Sequence, residues 1–398
     1  MNGHSCGSSE TPTLSLILCS RNDQYMGNSR WRLETTLNYL ADQVHNAGRS
    51  GQVEVLVADW GSEVPLRDTV RLTKAAAEIV SFLWIPPGIA RTLQKDSSFP
   101  EVLALNSAAR RAKGEYIGRI DQDTLVGRRF LEVFFDLHEG RRQLDVPLSL
   151  ALMYTNRREI SYRFSVRCPP YPQVDRLVKV FGKRFPVLHD PRRPFWTYLV
   201  GIWLVHRALW LECEGYDEQL IYYNWMEVDM ILRLKQKFSI VDLGLEVDYS
   251  FYHLEHVHPK VRRSTCHTLK NPTIDYQTPS PKILKPNGDR WGLISFPIEV
   301  LKGSSYVVGS THRLGGNLVD WLAWCYLVLL AGMQMGGDRV ISFMLPFYNR
   351  WHYRASTVAR VARCNPPLKW PRALIDLWRE RRTRQTAANN NSPDTAER

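Results

Sequence analysis

Three short apolar runs alternate with segments of helical periodicity in the first 90 residues, and this alternation constrains the fold more than any other feature of the sequence. The runs cover residues 14–19, 53–58 and 80–85, and each ends in a polar stretch or in Pro-Pro-Gly. Apolar residues recur at helical spacing in the segments between them, 31–44 and 68–79. Strands that alternate with helices pair in parallel through right-handed crossovers. The sequence therefore predicts an α/β fold with a mostly parallel central sheet flanked by helices.

A third helix and a fourth strand lead to a pair of aspartates. A helix is predicted over 101–113 with Gly114 as its stop, and a strand over 116–120. Asp121 and Asp123 follow at the carboxyl end of this strand, where open α/β sheets bind ligands. On an extended backbone both carboxylates would point to the same side, and carboxylate oxygens suit a hard cation such as Mg²⁺ or Mn²⁺. A turn without a ligand is the alternative for this pair, because acidic residues are common in turns.

The periodicity is weaker in the middle of the chain. Residues 141–194 are basic, aromatic and rich in proline, and we interpret them as an excursion that shapes an acceptor pocket. A helix is predicted at 226–237, and short strands at 240–243 and 247–251. The compact α/β domain is predicted to end near residue 260.

We divide the chain into four parts on these grounds. A polar N-terminus and a polar tail are expected to be disordered, and the compact domain is followed by a C-terminal extension whose first part, 260–317, is loop-like. In chain order the four parts are 1–12, 13–260, 261–382 and 383–398.

The C-terminal extension contains an apolar helix, predicted over 318–335. No residue between Asp320 and Asp338 is charged, but this run is shorter than the roughly 20 residues of a membrane-spanning helix. We interpret it as a buried core helix. Attachment to an anionic membrane surface is the alternative, because the run contains tryptophans and is followed by a basic region, 350–384.

The overall charge favours anionic partners. The sequence contains 52 Lys and Arg against 40 Asp and Glu, a formal net charge of +12, which suits nucleic acid, an anionic membrane or a phosphorylated substrate. The seven cysteines include no C-x-x-C pair, so neither a zinc site nor a disulfide framework is indicated. Residues 1–10 lack the basic start and apolar run of a signal peptide. We therefore expect a cytoplasmic location, and peripheral attachment to a membrane is the alternative.

Five short blocks occur in a fixed order along the chain. They are a polar end to the first strand, an Asp-x-Gly-Ser end to the second, Asn-x-x-x-x-x-Ala-x-Gly in the third helix, the aspartate pair, and Gly-Tyr-Asp-Glu followed by an acidic helix. In the same order they cover 20–23, 59–62, 106–114, 121–123, and 215–218 with 227–234. In this order they resemble the family-two glycosyltransferases, which are inverting enzymes of the GT-A fold that use nucleotide-activated sugars. The resemblance covers about residues 12–260 and implies a GT-A domain with a C-terminal helical extension.

The resemblance also implies which residues contact the nucleotide. The expected contacts are Ser20, Asn22, Asp23, Asp59, Asn106 and Asp121. Among them, Asp59 would accept a hydrogen bond from a pyrimidine N–H or from ribose, and a turn aspartate is the alternative.

The expected cofactor is Mn²⁺ or Mg²⁺. Asp123 would coordinate the cation that bridges the diphosphate, and Asp121 would face the ribose or reach the metal through water. One of three histidines would complete the metal shell, with His256 preferred, His253 next and His258 as the remaining member. A histidine that is hydrogen-bonded in the core is the alternative.

The general base implied by the resemblance is Glu227. The sequence departs from the family here, because Glu227 stands where the family usually has an aspartate and Met226 where it usually has a glutamate. Glu227 would take the proton from the acceptor hydroxyl, whereas Asp229 is interpreted as a capping or orienting residue. A solvated acid in the first turn of a helix is the alternative for Glu227.

The predicted function is therefore a metal-dependent inverting transfer of a sugar, with a UDP-sugar as the expected donor and a glycan or lipid-linked saccharide hydroxyl as the acceptor. Trp196, Trp203 and Trp225 would stack on sugar rings or, alternatively, belong to the core. Two other functions stay open, a basic nucleic-acid-binding protein and a catalytically silent sugar-binding relative. The arginines are spread along the sequence without a zinc-finger or RNA-binding signature, which disfavours the first.

Overall fold

The computed structural model describes most of the first 305 residues. The described residues are 11–25, 27–160, 167–187, 202–222, 226–234, 237–256 and 284–305, with Cys325, Val328 and Leu329. Apart from those three positions, the predicted helix 318–335 lies outside the described residues, as do the basic region 350–384 and the tail 383–398. No helix in the described part of the chain has the length and hydropathy needed to cross a bilayer.

Eleven strands and nine helices are assigned among the described residues. The strands are β1 (Leu14–Ser20), β2 (Val53–Trp60), β3 (Val80–Ile85), β4 (Tyr116–Arg119), β5 (Thr124–Val126), β6 (Ala151–Thr155), β7 (Arg158–Ile160), β8 (Ile202–His206), β9 (Ser239–Asp242), β10 (Phe251–Leu254) and β11 (Val300–Lys302). The helices are α1 (Ser29–Asn46), α2 (Leu66–Thr69), α3 (Lys74–Ile79), α4 (Pro87–Gln94), α5 (Glu101–Arg111), α6 (Arg128–His138), α7 (Tyr171–Phe181), α8 (Arg207–Glu212) and α9 (Met226–Leu234).

The larger sheet has the strand order β11-β3-β2-β1-β4-β8-β6-β9 in the part of the chain that is described. The strands from β3 to β4 pair in parallel, as do β6 and β9, whereas β8 and β11 run antiparallel to their neighbours. A smaller sheet has the order β5-β10-β7. The predicted α/β fold with a mostly parallel central sheet flanked by helices is confirmed.

Helices cover both faces of the central sheet because the apolar runs have no polar face. In β1, Leu16 and Leu18 pack in one core cluster with residues of α1 and α6. Ile17, which points to the other side of the strand, packs in a second cluster with residues of α5 and α9. Strands buried on both faces read as continuous apolar runs, which explains why β1, β2 and β3 were visible in the sequence.

Two local predictions are wrong, the helix over 68–79 and the strand over 247–251. The single helix predicted over 68–79 is two short helices, α2 and α3, because Thr73 begins a new helix by accepting a hydrogen bond from the Ala76 N–H. The two prolines after β3 do end the strand, but Pro87 is also the first residue of α4. Proline suits this position because its fixed φ is helical and its missing N–H would have no partner there. The strand predicted over 247–251 begins only at Phe251, after a turn.

The stretch 284–305 packs onto the sheet and the core. Its strand β11 pairs antiparallel with β3, and Trp291 is buried in the cluster that contains α5. The guanidinium of Arg111 donates to the carbonyls of Gly292 at 2.8 Å and Leu293 at 3.1 Å. The loop-like expectation for 260–317 is therefore wrong at β11, and the sheet continues beyond residue 260, where the sequence places the end of the domain.

Candidate active site

The two predicted aspartates lie just after β4, but the backbone between them turns. The N–H of Thr124 donates to the carbonyl of Asp121 at 3.2 Å, and residues 122 and 123 form the turn. The extended backbone expected for this pair is therefore wrong. Because of the turn, the carboxylates of Asp121 and Asp123 have different neighbours.

Asp123 lies beside two histidines. Nε2 of His253 is 3.5 Å from its Oδ1, and Nε2 of His256 is 3.3 Å from its Oδ2. One ligand atom from each of the three residues lies within 4.8 Å of the others. Pairing of β10 with β5 brings His253 close to Asp123. In this pairing His253 is opposite Thr124, and the Leu254 N–H donates to the Asp123 carbonyl at 2.9 Å.

The chemistry of these three side chains fits a divalent cation. His253 is oriented by Glu159, whose Oε2 is 2.6 Å from the imidazole Nδ1, and this contact leaves Nε2 for a metal. Burial lowers the pKa of His256 to about 4, so its imidazole is neutral near pH 7. Its Nδ1 is buried and has no hydrogen-bond partner among the described residues. Imidazole nitrogens and a carboxylate oxygen are ligands that divalent first-row transition-metal ions accept.

Arg32 is a fourth residue at this group, and the sequence analysis missed it. Its buried guanidinium comes from α1, with Nε 3.5 Å from Oδ2 of Asp123, and donates to the carbonyl of Tyr25 at 2.9 Å. Burial alone would raise the pKa of Asp123, but the two histidines and Arg32 together lower it. The spacing of Arg32 from Thr36 and Leu40 places it on the buried face of α1, which is a signal that the sequence does contain.

A second group surrounds Arg119, the last residue of β4. Its Nη2 is 2.8 Å from Glu101, 2.8 Å from Asp121 and 3.2 Å from Glu227. Glu101 and Glu227 each lie in the first turn of a helix, α5 and α9 respectively. Burial raises the pKa of Glu101 to about 7, and it also raises the pKa of Glu227 against the opposing effect of Arg119. Glu101 was not predicted.

Asp121 connects the two groups. Its Oδ2 is 2.8 Å from Nη1 of Arg157, and Nε of Arg157 is 3.3 Å from Oε1 of Glu159, the residue that orients His253. The chain of contacts therefore runs from the histidines through Arg157 and Asp121 to Arg119. In the described residues Asp121 faces these arginines, and it does not belong to the group of Asp123, His253 and His256 that could hold a metal ion.

Asp229 has a different surrounding from Glu227, although both belong to α9. Its Oδ2 accepts a hydrogen bond from Nε of Arg233 at 2.8 Å. Arg233 is buried and donates to the carbonyls of Cys213 and Gly215 at 2.9 and 2.8 Å. Asp229 thus fixes the side chain that ties α9 to the preceding turn, and Glu227 is the acid of this helix that reaches Arg119.

Three of the predicted nucleotide contacts, Ser20, Asn22 and Asp23, lie at the carboxyl end of β1 and just after it. Ser20 donates to Oε1 of Gln122, the residue between the two aspartates. The backbone N–H of Asn22 donates to Ser62 at 2.8 Å, and Asp23 pairs with Arg21 at 2.7 Å. These residues join the ends of β1, β2 and β4, and their predicted contact with a nucleotide stays a prediction.

Asn106 lies in the core. Its amide nitrogen donates to the carbonyl of Tyr216 at 2.8 Å, and its oxygen accepts from the N–H of Tyr216 at 2.8 Å. A Cβ at Gly215 would lie 2.3 Å from the Asn106 oxygen, and the positive φ of Gly215 also favours glycine. These contacts explain why an asparagine and a glycine occupy the two blocks, and the predicted nucleotide contact of Asn106 is not tested.

Of the three tryptophans considered for sugar stacking, Trp203 is described. It is fully buried and stacks on Trp210 with ring centroids 4.7 Å apart. The core alternative therefore holds for Trp203. Trp196, Trp225 and the third histidine, His258, lie outside the described residues.

Asp59 is fully buried at the end of β2. Its Oδ1 accepts a hydrogen bond from Ser62, and its Oδ2 accepts one from the N–H of Leu66 at 2.7 Å. Burial raises its pKa to about 6, although both hydrogen bonds oppose that shift. Both carboxylate oxygens stabilise the turn, and the predicted contact of Asp59 with a nucleotide stays a prediction.

The raised pKa of Asp59 predicts a pH-dependent stability. An unfolded aspartate titrates near 4, so between about pH 4 and pH 6 the folded state holds the proton more tightly and ionisation favours unfolding. Its contribution to the unfolding free energy should fall by about 3 kcal/mol as the pH rises through this window. Urea denaturation of wild type and Asp59→Asn at pH 4 and pH 7 measures it. Parallel pH curves for the two proteins would contradict the prediction.

Comparison with known proteins gives matches among solved structures. No protein-family model and no curated protein matches the chain. The catalytic domain of Drosophila beta1,4galactosyltransferase 7 in complex with xylobiose is 12% identical, with 65% of this chain and 76% of that chain covered and a TM-score of 0.35. S. aureus TarS 1-349 in complex with UDP is 13% identical, with 60% of each chain covered and a TM-score of 0.39. The match therefore spans less than two thirds of the TarS chain. A mutant of the Drosophila enzyme in complex with manganese, UDP-Gal and xylobiose is 12% identical, with 67% of this chain and 82% of that chain covered and a TM-score of 0.35. Membership of family two stays a prediction from the sequence.

Proposed function

We propose that the chain is a metal-dependent glycosyltransferase of the GT-A type, which moves a sugar from a nucleotide-diphosphate sugar to a hydroxyl acceptor with inversion of configuration. One observation carries this proposal. Asp123, His253 and His256, which could hold a metal ion, lie at the same end of the sheet as a separate, partly buried acid, Glu227. Asp121 connects the two groups. Open α/β sheets bind ligands at this end.

Asp123, His253 and His256 would hold the cation. Bound there, a divalent cation would neutralise the charge of the diphosphate as it leaves with the electron pair of the broken bond. The residues around it have supporting roles. Glu159 orients His253, and Arg32 places a buried positive charge beside Asp123.

Glu227 would act as the general base. Its partial burial raises its pKa, which makes the carboxylate a better proton acceptor than a solvated glutamate. It would take the proton of the acceptor hydroxyl while that oxygen bonds to the anomeric carbon. Inversion requires the attack to come from the face opposite the leaving group. A base that belongs to a group separate from the metal ligands supports this geometry.

The expected donor is a UDP-sugar, and the expected acceptor is a hydroxyl of a glycan or of a lipid-linked saccharide. The metal-ligating group supports a diphosphate donor, because a hard cation commonly binds its substrate through phosphate oxygens. Attachment of 318–335 to an anionic membrane surface is also part of this proposal.

A donor panel tests the proposal. The full chain is incubated with nucleotide sugars and Mn²⁺, and release of nucleoside diphosphate is measured with and without EDTA. We expect metal-dependent turnover of at least one donor. Donor binding without hydrolysis or transfer would identify a catalytically silent sugar-binding relative. Salt-sensitive binding of nucleic acid without donor binding would favour the nucleic-acid-binding alternative.

A further inference from the structure

The guanidinium of Arg119 is shared by three carboxylates. A single nitrogen, Nη2, lies within 3.2 Å of Glu101, Asp121 and Glu227. When ionised, the three carboxylates carry more negative charge than the single positive charge of Arg119 can balance. Asp121 is also paired with Arg157. The contact with Glu227 is the longest of the three, so Arg119 is held mainly by the other two.

The backbone of Arg119 is fixed on both sides. As the last residue of β4, it lies opposite Ile17 of β1 in one pairing and opposite Trp203 of β8 in the other. Its side chain is 5% exposed, and Glu101 fixes the direction of the guanidinium from α5. Glu227 is the second residue of α9, a different element from β4. Within the described residues, Arg119 is the ion-pair partner of Glu227.

We propose that Arg119 is a positioning residue for Glu227, and that Glu101 holds Arg119 in the orientation this requires. The inference rests on the proposed function, in which Glu227 is the base. Arg119 contacts Oε1 of Glu227, which leaves Oε2 as the oxygen that accepts the acceptor's proton. Glu101 and Asp121 occupy the same nitrogen, and they prevent the two-pronged pair that arginine forms with a single carboxylate. Such a pair would engage both oxygens of the base.

A double-mutant cycle tests whether Arg119 acts through Glu227. Arg119→Gln is expected to lower kcat for transfer by about 10- to 100-fold, because a displaced base loses its alignment. The KM for the donor and the Kd for nucleoside diphosphate with Mn²⁺ should stay within about threefold of wild type. In the Glu227→Gln background the same substitution should have little further effect, since the residue through which it acts is already gone. Full additivity of the two losses would overturn the proposal.

Two further variants are measured in case the Arg119→Gln protein does not fold because the acids around position 119 have lost their partner. Arg119→Lys retains the charge and should recover part of the lost kcat. Glu101→Gln should lower kcat by about 3- to 10-fold and have no effect in the Glu227→Gln background. An unchanged kcat in Glu101→Gln and Arg119→Lys would overturn the proposal. Arg128→Gln, which removes an exposed arginine of α6, is the matched control and should behave as wild type.

The outcome also separates this inference from the proposed function. Absence of metal-dependent donor turnover by the wild-type chain would refute the proposed function, and the inference with it. Turnover by the wild type that falls in Glu227→Gln but is unaffected by both Arg119 substitutions would refute the inference alone.

Discussion

Asp123→Asn is expected to abolish both donor hydrolysis and transfer, with a loss of at least about 100-fold. The substitution removes the negative charge that faces His253 and His256 while it keeps the shape of the side chain. A metal ion contributes several kcal/mol to stabilising a developing charge, and about 1.4 kcal/mol corresponds to a tenfold change in rate. Nucleoside-diphosphate release from the donor, with and without acceptor, measures the loss.

The binding of nucleoside diphosphate gives a second readout for Asp123→Asn. In wild type, Mn²⁺ should tighten this binding, and in the variant it should no longer do so. Calorimetric titration at matched salt measures both. Asp121→Asn is the informative control, because Asp121 contacts Arg119 and Arg157. It should keep the metal-dependent tightening even if transfer slows. Wild-type metal dependence in Asp123→Asn would mean that Asp123 is a turn residue.

Glu227→Gln is expected to lower transfer by about 10² to 10⁴-fold, the range of a general base, with almost no change in donor affinity. Glutamine is nearly isosteric with glutamate but cannot accept the proton. Glu227→Asp introduces the residue that family-two glycosyltransferases usually have at this position. The aspartate side chain is one carbon shorter, so its carboxylate would not reach as far from α9 as that of Glu227. It should therefore be slower than wild type and faster than Glu227→Gln. Single-turnover rates at saturating donor measure the order.

Asp229→Asn distinguishes the two acids of α9. Asp229 pairs with the buried Arg233 at 2.8 Å, so this variant should mainly lose stability. Breaking a buried pair on one side costs about 3–5 kcal/mol. Thermal unfolding and kcat are therefore measured together. A folded but inactive Asp229→Asn, beside a fully active Glu227→Gln, would move the base to Asp229.

The sequence predicted the strands well where burial on both faces left a continuous apolar run. It predicted helix ends less well, because Thr73 and Pro87 start new helices at positions that look like interruptions. The short strand β11 has only three residues. Nothing in its own sequence distinguishes such a strand from a loop, since its pairing with β3 defines it.

The candidate site was predictable only in part, because its contacts join distant segments. The motifs marked Asp121, Asp123 and Glu227 from local patterns. Glu101 and Arg119 are 18 residues apart, and Glu159 and His253 are 94 apart. Neither separation follows from a helix or strand period. The position of His253 beside Asp123 likewise depends on the pairing of β10 with β5, which no local rule shows.

The strand β11 has a consequence for solubility. An exposed strand edge offers unpaired N–H and C=O groups to other chains, and proteins limit this risk with short or charged edge strands. By pairing with β3, β11 covers the long apolar strand that would otherwise end the sheet. Its own outer edge is short and ends in Lys302. By this pairing, residues beyond 260 protect the edge of the central sheet at β3 from joining the sheet of a second molecule.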